Sequence, residues 1–124
     1  MRVRLRSKEI AGRKNVLGWL RFGEDYTVLA IESLSTGEVG YRIATEQGTP
    51  ALFETNLFAV TDPQVNGDWE VRYCETGTFE LVPERWSVPG FWEDFFNGTP
   101  DAVSRYQEVL RSSKDARKAE RNAD

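Results

Sequence analysis

Two adjacent carboxylate pairs, Glu24-Asp25 and Glu93-Asp94, and one thiol, Cys74, are the groups that could make this chain an enzyme or a metal protein. Paired carboxylates serve general acid–base catalysis or hold a hard cation, and a thiolate is a nucleophile. The spacing speaks against each use. Side chains at i and i+1 diverge in a strand and lie about 100° apart around a helix, so neither pair converges on one atom. No Asp-x-Asp-x-Asp loop or Glu-x-x-His run adds further ligands. Cys74 is followed by Glu75, and the chain has no histidine. That removes the commonest general base, Ser-His-Asp and Cys-His sites, and every His-containing zinc site. Neither phosphate-binding glycine pattern occurs. The expectation is a protein with no catalytic residue, no metal and no cofactor.

Charge is the feature left to explain. The 124 residues carry a net −4, unevenly spread. Residues 1–25 sum to +4, residues 26–110 to −10 and residues 111–124 to +2. An acidic body between two basic ends steers toward basic proteins and away from nucleic acid, the more so at low salt.

The elements that must carry this charge follow from hydrophobic period. Residues 2–6 alternate Arg and apolar, which predicts an edge strand with Val3 and Leu5 inward. Residues 11–18 read as a loop with at most one helical turn. Residues 26–31 are apolar on both faces and predict a central strand, returning over 39–45 after the turn at Ser35-Thr36-Gly37-Glu38. Residues 51–53 and 57–60 are short strand candidates. Residues 69–74 and 79–81 predict a hairpin around Thr76-Gly77, with Trp69, Val71, Tyr73, Phe79 and Leu81 inward and the charged residues outward. After Pro83 the period changes from two to that of a helix. Phe91, Trp92, Phe95 and Phe96 form one stripe, Asn97-Gly98 stops it, and Thr99-Pro100-Asp101 starts a second helix. The expected fold is α+β: a small antiparallel curved sheet or SH3-like barrel of five to six strands followed by C-terminal helices. It forms a single domain over 1–111, and residues 112–124 form a polar basic tail, frayed helix or disordered.

On this frame the candidate partner-binding residues are Glu70 and Glu80, projecting outward with Arg72 beside them, and Asp68 and Glu75 at the ends of that face. Only four Lys/Arg accompany fourteen Asp/Glu over residues 26–110, an excess suited to capturing a cationic protein. A rival reading uses the basic ends. Arg2, Arg4, Arg6 and Lys8, with Arg111, Lys114, Arg117, Lys118 and Arg121, could neutralise phosphates in a nucleic-acid-binding SH3-like module. The total negative charge ranks it second, since the ends can lie on the acidic body instead. Trp86, Phe91, Trp92, Phe95 and Phe96 could form a binding hot spot, but core packing is expected for Phe91 and Phe95.

Several segments carry a resemblance. Gly23-x-x-Tyr26-x-Val28-Leu29-Ala30-Ile31, Gly40-Tyr41-Arg42-Ile43, Thr49-Pro50-Ala51-Leu52-Phe53 and Leu57-Phe58-x-Val60 belong to it. So do Trp69-x-Val71, Leu81-x-Pro83-x-x-Trp86 and 89–96, Pro-Gly-Phe-Trp-Glu-Asp-Phe-Phe. Over residues 20–110 the chain resembles small bacterial immunity proteins found beside polymorphic toxins, including contact-dependent growth inhibition systems. The resemblance implies a cytoplasmic, non-enzymatic inhibitor that binds a cognate toxin domain, often a basic nuclease. It supplies no catalytic residue and does not say which acids touch the toxin. A single cysteine, no run of about 18 apolar residues and no apolar segment after the basic N-terminus agree with a cytoplasmic protein without a membrane partner.

Overall fold

The structure, a computed structural model, describes residues 1–75 and 77–122, with side chains as far as residue 111. The chain packs as two compact units, Met1–Val82 and Pro83–Asp124.

The first unit is an antiparallel sheet. Its strands are β1 (Arg2–Leu5), β2 (Asp25–Ser33), β3 (Val39–Ala44), β4 (Pro50–Glu54), β5 (Phe58–Asp62), β6 (Trp69–Tyr73) and β7 (Phe79–Pro83). Five of them follow the order β4-β3-β2-β1-β5, while β7 pairs with β2 and β6 with β7. Each segment with a strand period in the sequence finds a partner, so seven strands form rather than five or six. β4 and β5, at the two ends of the path, are joined by a 3-10 turn (Thr55–Leu57) and not by a ladder. The sheet therefore stays open, and of the two expected forms the curved sheet is the one observed.

β2 is central, as its two apolar faces require. It pairs with β3 along Val28–Ser33, with β1 through Asp25, Tyr26 and Thr27, and with β7 through Ile31 and Glu32. Val28 sits opposite Ile43 and Ala30 opposite Arg42, which leaves Leu29 as a bulge. A bulge bends its strand, and this one lies where β2 passes from β1 to β7. β1 is not the edge strand expected from its arginines, because it pairs with both β2 and β5. Val3 and Leu5 do face the core, and the arginines are tolerated on the other face because Asp25 meets both of them, Arg4 at 2.9 Å and Arg2 at 3.8 Å.

Between β1 and β2 the chain forms α1 (Lys8–Arg13), a fuller helix than the single turn expected, because the Ser7 hydroxyl accepts from the Ile10 N–H and caps it. The chain then returns over the sheet, and Val16 and Leu20 join Val3, Leu5, Val28, Ile43 and Phe58 in the core. Tyr26 ties this connection down. Its hydroxyl accepts from the Arg21 N–H and donates to Glu46 Oε1, both at 2.6 Å, while the Glu46 N–H donates to the Trp19 carbonyl.

The second unit holds a 3-10 turn (Glu84–Trp86), α2 (Phe91–Phe96) and α3 (Pro100–Asn122). Trp86 is fully buried, stacked between Phe91 (5.7 Å) and Tyr106 (5.3 Å), and its indole N–H donates to the Arg105 carbonyl. Phe91 is buried and Phe95 lies 4.4 Å from the Tyr106 ring, which places the aromatic stripe in a core, whereas Phe96 is exposed. Gly98 takes φ 75°, a left-handed stop that separates the helices. The segment expected to fray or lose order continues α3 to Asn122; the basic side chains Lys114, Arg117, Lys118 and Arg121 and residues 123–124 lie outside the described residues.

Two outcomes follow. Leu5→Ala empties a fully buried site and lowers stability by about 2–5 kcal/mol, measured by urea unfolding. Burial first, then the hydrogen bond to Glu46, pushes the Tyr26 hydroxyl from its ordinary 10.0 up to about 12. The folded state thus holds this proton more tightly than the unfolded chain. Its contribution is complete below pH about 10 and is lost as pH rises toward 12. Stability of Tyr26→Phe relative to the parent, followed by urea unfolding from pH 8 to 12, is expected to improve across that window.

Candidate protein-binding surface

The β6–β7 hairpin carries the candidate residues, and its geometry differs from the expected one. The Cys74 N–H donates to the Thr78 carbonyl at 2.9 Å, and Gly77, at φ 87°, supplies the left-handed residue of the turn. Glu70, Asp68 and Glu75 are exposed. Glu80 is not: it is 5% exposed and receives Arg72 Nε at 2.6 Å. The face expected to be charged and outward therefore carries a buried carboxylate.

The reason lies in the strands beside it. Glu80 stands directly opposite Glu32 of β2, a like-charged pair that would repel if left alone. Arg42 of β3 binds Glu32 through two nitrogens, at 2.5 and 3.1 Å, as Arg72 binds Glu80. Four strands thus present Arg42, Glu32, Glu80 and Arg72 in a row, cations outside and anions inside. Gly40, opposite Glu32, completes it: a Cβ there would lie 3.0 Å from the Leu52 side chain. The hydrogen bond that Arg72 donates to Glu80 raises the Arg72 pKa further, so the guanidinium stays charged. Ala30 and Val82 are fully buried beside this row.

The opposite face is the core face of the sheet, running through the ladder partners Phe53, Tyr41, Ile31 and Leu81. Trp69 still packs on the core. Beyond it the stripe emerges into solvent: Val71 is 55% exposed, Tyr73 79% and Phe79 38%, with the Tyr73 and Phe79 rings 6.4 Å apart. Of the side chains read as an inner face, Val71, Tyr73 and Phe79 are left uncovered, while Trp69 and Leu81 are partly buried. The period-two signal identified the apolar face correctly but could not say where the core beneath it ends.

The acids around this stripe lack cations. From Ile43 to Glu84 the sequence holds eight carboxylates and one cation, Arg72, which is committed to Glu80. Among the described residues Asp68, Glu70, Glu75 and Glu38 form no ion pair, whereas Glu46 and Glu54 meet Arg21 and Lys14. Antiparallel pairing of β7 with β2 brings the Glu75 turn and the Glu38 turn to the same end of the sheet.

The basic N-terminal residues are largely engaged. Arg2 and Arg4 meet Asp25, Arg13 meets Glu9, Lys14 meets Glu54 and Arg6 donates to the Asn56 carbonyl. No group of three His, Cys, Asp or Glu side chains among the described residues is placed to hold a metal ion. Cys74 is half-buried in the hairpin, and no helix among the described residues is long and apolar enough to cross a membrane. No protein-family model, curated protein or solved structure matches the chain.

Arg72→Met leaves Glu80 buried without its cation and is expected to cost about 3–5 kcal/mol. Glu70→Gln, on an exposed unpaired side chain, stays within about 0.5 kcal/mol of the parent. Urea unfolding of the two variants checks this; equal, small losses would show that the pair does not hold the hairpin.

Proposed function

We propose that this protein is a cytoplasmic, non-enzymatic inhibitor of the immunity type, which docks onto a cationic toxin domain, a nuclease by class, through the exposed β6–β7 surface. The observation that carries the reading is the apolar stripe Val71, Tyr73 and Phe79 lying uncovered among carboxylates that have no cation of their own. Aromatic anchors ringed by charge are how protein interfaces concentrate their affinity. Unpaired acids raise the rate of encounter with a positively charged partner. A nuclease must present cations to phosphates, so its active-site surface is the complement of this one.

The resemblance to immunity proteins supports the same class through residues that build the sheet and the helical stripe. The nucleic-acid reading has weaker support, since the N-terminal arginines that would meet phosphates are spent on Asp25 and backbone groups.

The test begins with the reading frames adjacent to this one: the reading requires one that encodes a toxin domain, and its absence would overturn it. Co-expression is expected to restore growth, and the two chains to co-purify. The double reversal Asp68→Lys, Glu70→Lys is expected to slow association about tenfold at low salt, with the difference shrinking as salt rises. Tyr73→Ala should mainly speed dissociation. Association rates unchanged by the reversal at every salt concentration would overturn electrostatic capture.

A further inference from the structure

Among the described residues strand β6 pairs on one side only, with β7. In an antiparallel ladder, hydrogen-bonded and non-bonded pairs alternate. Because Cys74 bonds inward to Thr78, Arg72 and Glu70 also bond inward, and the N–H and C=O groups of Val71 and Tyr73 point away from β7. No described residue bonds to them across that edge. Edge strands are usually blunted by proline, by a bulge or by a cover. β6 contains no proline, and its charged residues are Glu70 and Arg72.

We infer that the free edge of β6 accepts an extended strand of the cationic partner, making the interface a continuation of the sheet. This rests on the proposed function for the partner's charge and adds the docking mode. The side chains of β6 define the strand that fits. Val71 and Tyr73 lie exposed on one face and Glu70 on the other. An added strand with the same alternation sets apolar residues beside Val71 and Tyr73 and basic ones beside Glu70, with Asp68 and Glu75 at the two ends. Main-chain bonds then supply affinity, and the alternating faces supply selection. A second copy of this chain fits less well, since it would bring Glu70, Asp68 and Glu75 against an equally acidic edge.

The test uses a defined probe: an eight-residue capped peptide alternating Lys and Val, and the same peptide N-methylated at alternate residues along one edge. Charge and side chains are identical in the two. With the full chain, the unmodified peptide is expected to slow amide hydrogen exchange at Val71 and Tyr73 at least tenfold, and the methylated peptide to give no protection. Val71→Pro removes one outward N–H and leaves the β7 ladder intact, as proline on an edge strand permits. It should weaken peptide binding at least tenfold, with an unchanged urea midpoint showing that the fold persists. Equal binding of both peptides, with no exchange protection, overturns strand addition and leaves capture of a cationic partner standing. Absence of binding by either peptide at millimolar concentration also overturns it. Concentration-dependent protection without peptide assigns the edge to a second copy and overturns the stated partner. Failure of the adjacent toxin domain to bind, with peptide protection intact, overturns the proposed function alone.

Discussion

A buried carboxylate determines how this protein meets its surroundings. Glu80 is held by Arg72 on the same hairpin and stands against Glu32, which Arg42 holds in turn. Removing an ion pair's cation while its anion stays buried is costly, so the hairpin cannot easily slip. A slip of one residue would exchange its two faces, placing Glu80 in solvent and Tyr73 over the sheet. The row of four charges therefore acts as a register lock, and the exposure of Val71, Tyr73 and Phe79 follows from it.

The bulge at Leu29 sets where the lock can be built. β2 serves β1 through Asp25–Thr27 and β7 through Ile31 and Glu32, and the bulge at Leu29 falls between the two stretches. Bending at Leu29 gives each partner its own stretch. The cost is that the sheet does not close, and the β6–β7 hairpin extends past the core that Trp69 still touches. The surface proposed for docking is thus a by-product of an architecture that keeps one hairpin partly unsupported.

Charge is also redistributed by folding. The basic N-terminus and acidic body of the sequence partly cancel in space, through the pairs Arg21–Glu46 and Lys14–Glu54, while Arg2 and Arg4 meet Asp25 within the N-terminal segment. What survives is local: Asp68, Glu70 and Glu75 along the β6 strand and Glu38 at the turn beside Glu75, with no cation of the described residues against them. Steering by such a patch depends on its concentration, not on the net −4 of the chain.

Most of the elements, though not α1, and the excluded chemistries were legible in the chain itself. Strand signals marked a segment of each of the seven strands, the change of period after Pro83 located α2 and α3 but not α1, and the absence of histidine ruled out every site that needs one. Those are local properties, readable because side-chain direction repeats along the chain. Which face of β6–β7 would be covered was decided only by tertiary structure. Alternation marks two faces as different without saying how far the core extends beneath either. The burial of Glu80 depends on Glu32 and Arg42, some forty residues away in sequence, and no pattern within the hairpin contains them. The free edge of β6 is of the same kind, since an edge is defined by the strand that is not there. β1, with its arginines, looked like an edge and is interior because Asp25 meets the charges that would otherwise have kept it outside.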